Sequence, residues 1–117
     1  MIPIDDYFTA TPEDFLLTTR LSHHAIEDLL KSHDDSIAGK YFVHKKNRYI
    51  YQISHTSILN HQNKAELAVN YVPVSVVSEH ADFFVVRPHN HVRHNRPCSE
   101  FFDGRFEFLQ NAKEATS

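Results

Sequence analysis

Apolar residues recur at helical spacing in the first third of the chain and at alternating spacing in the rest. Residues 11–33 carry the helical pattern. Thr11 is a suitable N-cap before Pro12, and Ser22 is a suitable N-cap for a further helix. The pattern therefore predicts either one helix or two short helices that hinge near Leu21, and the polar residues at 34–36 predict a helix end and a linker.

From residue 40 the period of the apolar positions changes to two, which predicts β-strands. Residues 45–47 are suited to a hairpin turn between the first two strands. Residues 55–64 are polar and predict an exposed loop. Pro73 predicts that its strand ends at a sheet edge, because proline has no amide N–H for a ladder. Residues 83–88 hold four consecutive apolar residues and predict a strand that is buried on both faces.

The same alternation predicts which side chains meet in the core. Tyr49, Tyr71, Phe84 and Val86 each fall on an apolar strand face. Because aromatic and β-branched side chains fill the interiors of small β-folds, we expect these four residues to contact one another.

The pattern predicts a mainly β fold with N-terminal α structure in a chain of 117 residues. We expect an acidic helical appendage over residues 1–38, a β-barrel over residues 39–110 and a frayed tail over residues 111–117. The charge changes at the same boundary. The first 38 residues hold eight acids and two bases, whereas the remainder holds seven acids and ten bases.

A series of short motifs over about residues 39–108 resembles an uncharacterised bacterial and phage domain family. The motifs are G-x-Y-x-x-H-K-x-N-x-Y, an H-T loop, A-V-x-Y, V-R-P and R-F. The matching residues are Gly39, Tyr41, His44, Lys45, Asn47, Tyr49, His55, Thr56, Ala68, Val69, Tyr71, Val86, Arg87, Pro88, Arg105 and Phe106. The resemblance implies an SH3-like small β-barrel preceded by one or two short helices. No catalytic residue is established for that family, so the resemblance implies none here.

Composition indicates the cellular compartment that suits this chain. The single cysteine excludes an intrachain disulfide and favours a reducing compartment. The first residues have neither the basic nor the apolar region of a signal peptide, and no apolar run is long enough to cross a bilayer. We therefore expect a cytoplasmic protein without a membrane partner.

The segment 89–98 is rich in histidine and contains the cysteine. His91, His94 and Cys98 have spacings that one zinc site can accommodate, but they match no established zinc motif. The favoured interpretation is an exposed polar loop with no metal and no cofactor. Cys98 can also form a nucleophile pair with His55 or His91, although no predicted helix N-terminus lies behind it to lower the pKa of the thiol. We expect no enzymatic activity.

Basic and aromatic residues of the β-region are the candidates for contact with a partner. Small barrels bind nucleic acid through such residues when the cations converge on one face. In the alternative, Arg87 is a structural residue that pairs with Glu66 or Asp82. The candidate binding residues are Lys45, Lys46, Arg48, Tyr51, Arg87, Arg93 and Arg96.

The helical region resembles a helix-turn-helix in outline, but Glu27 and Asp28 lie where such a motif reads DNA. Phosphate repels acidic side chains, so an amphipathic packing helix is the favoured interpretation. The leading functional interpretation is a non-enzymatic binding module or small regulator that acts through protein–protein contact, with a phage or accessory-element origin in keeping with the resemblance. The alternative is a nucleic-acid- or nucleotide-binding small barrel with a basic and aromatic rim.

Overall fold

A computed structural model describes residues 2–17, 21–61 and 63–115 of the chain. The fold is mainly β, with short helices before the sheet and one helical turn near its end. The helical elements are α1 (Ile4–Thr9), a 3₁₀ helix (Pro12–Phe15), α2 (His23–Ile37) and α3 (Cys98–Phe101). The strands are β1 (Leu16–Leu17), β2 (Tyr41–His44), β3 (Ile50–His61), β4 (Lys64–Glu79), β5 (Phe84–Pro88), β6 (His94–Pro97), β7 (Phe106–Leu109) and β8 (Ala112–Glu114).

The N-terminal segment forms separate helical pieces rather than one helix. The carboxylate of Asp14 accepts a hydrogen bond from the Thr11 N–H at 2.8 Å and caps the 3₁₀ helix. The Ser22 hydroxyl accepts from the Ala25 N–H at 3.1 Å and begins α2, which confirms the predicted second cap. The hinge position itself adjoins residues 18–20, which lie outside the described residues.

The predicted linker at residues 34–36 is wrong, because α2 continues to Ile37. Tertiary partners satisfy the polar side chains that suggested a helix end. Ser36 is buried, and its hydroxyl accepts from the Ile2 N–H at 2.9 Å. The Asp34 carboxylate accepts from the Thr56 N–H at 2.6 Å and from the Thr56 hydroxyl at 2.7 Å, which fastens α2 to β3.

The predicted loop at residues 55–64 is also wrong, because β3 and β4 form one long antiparallel hairpin through this region. The register shifts between Ile53 and His55, where two residues of β3 oppose Asn70 of β4. Beyond this bulge the face alternation is displaced by one residue. Thr56 is therefore buried under α2, although the surrounding sequence is polar.

Strand β4 is the centre of the sheet. It pairs with β3 along one edge, and its other edge pairs in turn with β1, β6 and β5. The prediction that Pro73 marks a strand end is wrong, because Pro73 lies in the middle of β4. On this edge of β4, pairing with β6 ends at Tyr71 and pairing with β5 begins at Val74, so Pro73 lies in the gap between the two partner strands. Its carbonyl accepts from the His89 N–H at 2.8 Å. No partner strand requires an N–H donor from residue 73 at this gap.

The strands follow the order β7-β2-β3-β4-β5-β8, with β1 and β6 attached to β4. Within the described ranges no backbone ladder joins β7 to β8, so the sheet is open and the SH3-like barrel is not confirmed. The mainly β class with N-terminal helices is confirmed. The expectation of a frayed tail is wrong for residues 112–114, which form β8 and pair in parallel with β5.

Among the described residues, the core consists of two clusters. The larger contains Tyr71 together with residues of α1, the 3₁₀ helix, α2 and α3, so the helical segment contributes to it. The smaller contains Val86, with Phe84 packed against it. The four predicted core residues therefore do not meet. Tyr49 is 65% exposed and lies in neither cluster.

Strand β5 buries one face rather than both. Val86 is fully buried, whereas its neighbour Arg87 is exposed. Across the described ranges, no helix combines the length and apolar composition that a bilayer crossing requires.

Candidate functional site: an aromatic and cationic surface

Cross-strand register brings several predicted binding residues to one face of the sheet. Tyr51 lies opposite Pro73, His94 lies opposite Tyr71, and Arg87 lies opposite Ser75. Residues that face each other in antiparallel strands share a face, and so do alternate residues along β4. Tyr51, Tyr71, His94 and Arg87 therefore project from the same side of the sheet, which we call the aromatic face.

The rings on this face form a closely packed group. Tyr51 meets Tyr71 edge to face at 5.4 Å between centroids, and His94 stacks on Tyr71 at 5.2 Å with 24° between the planes. Phe106 lies 5.9 Å from both tyrosine rings. Tyr71 and Phe106 are buried and form the floor, whereas Tyr51 is half-buried and His94 is exposed. We call Tyr51, Tyr71, His94, Arg96 and Phe106 the aromatic surface.

Arg96 is fixed at the margin of these rings. Its Nε donates to the Tyr71 hydroxyl at 3.2 Å, its Nη1 lies 3.9 Å from a Glu100 carboxylate oxygen, and its guanidinium lies 5.9 Å from the Phe106 ring centroid. The hydrogen bond that Arg96 donates to Tyr71 raises the pKa of Arg96, and burial opposes this effect. These contacts therefore fix the position of the Arg96 guanidinium, and only part of the side chain is exposed.

The Tyr51 hydroxyl lies in the same electrostatic environment. Burial raises the pKa of Tyr51, and the neighbouring Tyr71 and Tyr49 hydroxyls raise it further. The Asn47 side chain and the charge of Arg96 act in the opposite direction. Tyr51 thus stays a neutral phenol, able to donate or accept a hydrogen bond at the edge of an apolar group.

The predicted cations do not form one patch. Arg87 and Arg96 share the aromatic face, whereas Arg48 lies 3.7 Å from the Glu107 carboxylate. Glu107 pairs opposite Val43, which belongs to the other face by register. Lys45 and Lys46 are exposed in the β2–β3 turn, where the sequence predicts a hairpin. Arg93 lines a cleft that opens on the face opposite the aromatic surface.

Arg87 is not the structural ion-pair partner that the sequence alternative suggests. The Glu66 carboxylate is engaged by His61 at 2.7 Å. No ion pair joins Arg87 to Glu66 or to Asp82 in the part of the chain that the structure describes.

The candidate zinc ligands lie in different environments. Cys98 is fully buried at the start of α3, in the larger core cluster, whereas His91 is exposed and His94 is stacked on Tyr71. Among residues 2–17, 21–61 and 63–115, no group of three or more potential ligands is positioned to hold a metal ion.

Burial also determines the state of the Cys98 thiol. It raises the pKa of Cys98, and the Glu66 carboxylate raises it further. The thiol is therefore protonated, whereas the thiolate is the reactive form. The geometry offers no support for a nucleophile pair of Cys98 with His55 or His91.

The sequence does not predict this grouping of rings. It predicts Tyr49 and Tyr71 in a single core, with Tyr49 also interleaved with Tyr51 as a stacking ring for nucleic acid, and it offers His94 only as a weak metal candidate. Period-two spacing carries part of the missing signal, because it predicts Tyr49 and Tyr51 on one face and the intervening Ile50 on the other. The ring contact of His94 depends on the pairing of β6 with β4, which local spacing does not encode.

Searches against protein-family models, curated proteins and solved structures find no match to this chain.

Proposed function

We propose that this chain is a non-enzymatic binding module that contacts a protein partner through the aromatic surface. The observation that carries the proposal is the half-buried Tyr51 and the exposed His94, supported from below by buried rings and flanked by the fixed Arg96. Tyrosine and arginine dominate the energetic centres of protein interfaces. Because these side chains are already held by one another, binding would sacrifice little conformational entropy.

The chemistry of the surface suggests the character of the partner segment. Exposed ring edges at Tyr51 and His94 suit an apolar side chain, and the exposed Arg87 on the same face suits a carboxylate. A segment with an apolar anchor beside acidic residues is therefore the partner chemistry that we propose.

We also propose that the open sheet curls into a small barrel of the SH3-like type implied by the motif resemblance. In support, only Gln110 and Asn111 separate β7 from β8, although these strands lie at opposite ends of the sheet order. The smaller core cluster draws on six strands through Tyr41, Ile50, Val74, Phe84, Val86, Leu109 and Ala112. Nuclear Overhauser contacts between the Tyr41 ring and the Val86 methyls test the curl, and their absence would contradict it.

Two further features of the proposal have narrower support. The single, buried Cys98 fits a reducing compartment, and on this basis we propose a cytoplasmic location. A role as a small regulator of phage or accessory-element origin is supported by the motif resemblance alone.

A nucleic-acid-binding function is the second candidate, favoured by one observation. Tyr51 and His94 offer ring surfaces on which bases can stack, beside Arg87 and Arg96. The separation of Arg48 and Arg93 from this face removes the continuous cationic groove that phosphate binding favours. Fluorescence anisotropy of a labelled single-stranded oligonucleotide at low salt tests this candidate, and no binding there would remove it.

Affinity capture of the tagged chain from its native host tests the leading proposal. A double variant changes the charge at two exposed positions on the aromatic face: Arg87→Glu reverses a positive charge, and His94→Glu adds a negative charge. Lys31→Glu, at an exposed position of α2, is the matched control. We expect the wild type and the control to retain a specific protein, and the double variant to lose it.

Two results would contradict this proposal. One is the repeated absence of a specific protein partner with the wild type. The other is equal capture by the double variant, provided that its unfolding transition matches that of the wild type.

A further inference from the structure

A polar cleft of about 490 Å³ opens on the sheet face opposite the aromatic surface. Its volume lies within the range of small-molecule sites. Three separate chain segments contribute to it: the bulge of β3, the middle of β4 and the turn before β6. The lining residues are Ser54, His55, Asn70, Val72, Asn90 and Arg93.

The β-bulge explains why polar groups converge here. Ser54 and His55 both lie opposite Asn70, whereas an uninterrupted strand would send consecutive side chains to opposite faces. Both residues line the cleft. Bulges commonly redirect side chains in this way beside functional sites.

The floor of the cleft is held by a hydrogen-bond network. The Asn70 amide nitrogen donates to the Ser57 hydroxyl at 3.0 Å, and its carbonyl oxygen accepts from the Asn95 amide at 2.8 Å. The Ser54 hydroxyl donates to the Asn70 main-chain oxygen at 2.9 Å. These bonds occupy the side-chain amide of Asn70 and leave His55, Asn90 and Arg93 as the lining groups that can donate to a ligand.

Arg93 is positioned rather than paired. Its Nε donates to the Asn90 main-chain oxygen at 3.1 Å, which leaves both terminal nitrogens of the guanidinium for another acceptor. No carboxylate lines the cleft, and no ion pair involves Arg93 within the described residues. The cleft thus presents a fixed guanidinium, an imidazole and an amide with no internal counter-charge.

We propose that this cleft binds a small oxyanion, in the form of a phosphate or carboxylate group carried by a small molecule. A planar guanidinium that is anchored through Nε presents two parallel N–H donors, which match two oxygens of such a group. His55 and Asn90 can supply further donors to the same group. The absence of lining carboxylates disfavours a metal cation, and the site does not depend on the aromatic surface.

Amide NMR titration of the full-length chain tests the proposal, with inorganic phosphate and acetate as separate probes at constant pH and ionic strength. We expect saturable shifts centred on residues 54–55 and 90–93 for at least one probe, at concentrations up to about 50 mM. Arg93→Gln should weaken the binding at least about tenfold. Lys31→Gln, which removes an exposed cation of α2 outside the cleft, should leave the affinity unchanged.

The two probes separate the sources of the anion. Saturation by phosphate alone assigns a phosphorylated ligand, and saturation by acetate alone assigns a carboxylate. Failure of both probes to saturate would overturn the proposal. So would shifts centred on Lys45–Arg48, or equal binding by Arg93→Gln with a native spectrum. None of these results bears on protein capture by the aromatic surface.

Discussion

The two core clusters are built in different ways. The larger cluster lies between the sheet and the helices, and seven of its buried members are aromatic. Phe101 stacks on Phe106 at 4.1 Å and meets Phe42 edge to face at 5.1 Å. The smaller cluster has three buried members, Tyr41, Val74 and Val86, and its other residues are only half-buried.

This difference indicates where the fold gains its stability. The larger cluster joins the N-terminal helices and α3 to strands of the sheet, and its seven buried aromatic rings are removed from water. The smaller cluster consists of strand residues alone and has fewer buried members. Since burial of apolar area is the dominant favourable contribution to folding, the larger cluster should dominate the free energy of unfolding.

Equivalent truncations in the two clusters test this comparison directly. Phe101→Ala removes a fully buried ring and should reduce the free energy of unfolding by about 3–5 kcal/mol. Phe84→Ala removes a half-buried ring and should cost about 1–2 kcal/mol. Urea denaturation of both variants provides the measurement. Equal losses, or a larger loss for Phe84→Ala, would contradict the ranking of the clusters.

The attachment of α2 to β3 provides a second test of how the helices are held on the sheet, with a smaller expected loss of stability. Asp34→Ala leaves the Thr56 N–H without its acceptor beneath the helix and leaves the Thr56 hydroxyl with the Leu30 main-chain oxygen at 3.2 Å. The loss should cost about 1–3 kcal/mol in urea denaturation. Asp28→Ala, at an exposed position of the same helix, should change the stability by less than about 0.5 kcal/mol. If the two aspartate variants were equally stable, the contact between Asp34 and Thr56 would not hold α2 on the sheet.

The same helix predicts a pH dependence. Burial lowers the pKa of His33 from its ordinary value of 6.5, and the charge of Asp34 only partly opposes this. His33 Nδ1 lies 2.7 Å from the Tyr7 hydroxyl, whose pKa burial raises to about 12, so Tyr7 remains neutral. The folded state therefore binds fewer protons at His33 than the unfolded state does. The corresponding stability is present above about pH 6.5 and is lost as the pH falls through the lowered folded pKa.

Urea denaturation at about pH 7.5 and about pH 5.5 measures this effect. His33→Asn should reduce the loss of stability on acidification, whereas His23→Asn, at an exposed position of α2, should leave it unchanged. An identical acid sensitivity in the wild type and His33→Asn would show that His33 does not carry the effect.

Local sequence signals predicted the elements that depend only on residues close together in the chain. The Ser22 cap and the turn at residues 45–47 depend on neighbouring residues, and the structure confirms both. The bulge at Ser54 displaces the alternation by one residue, so the polar sequence after it resembles a loop. The polar end of α2 resembles a linker because its partners, Thr56 and Ile2, come from distant segments.

The candidate sites show the same limit. Alternation placed Tyr51 on a defined face, but it did not show which part of that face the helices cover. It also gave no means to see that Arg93 belongs with Ser54 and His55, because their approach depends on the bulge and on the turn before β6. Composition identified the cations, whereas the pairing of distant strands determines their separation.

Tyr49 gives the smallest expected effect on stability and the sharpest contrast with the core. It precedes β3 and lies two residues before Tyr51, and its side chain is 65% exposed and outside both clusters. Tyr49→Ser should therefore change the free energy of unfolding by less than about 0.5 kcal/mol. If the aromatic surface binds a protein, the same variant should weaken capture of that partner, because the ring extends the exposed aromatic area beside Tyr51. A loss of several kcal/mol would place Tyr49 in the core, as its alternation predicted, and unchanged capture with unchanged stability would exclude it from the interface.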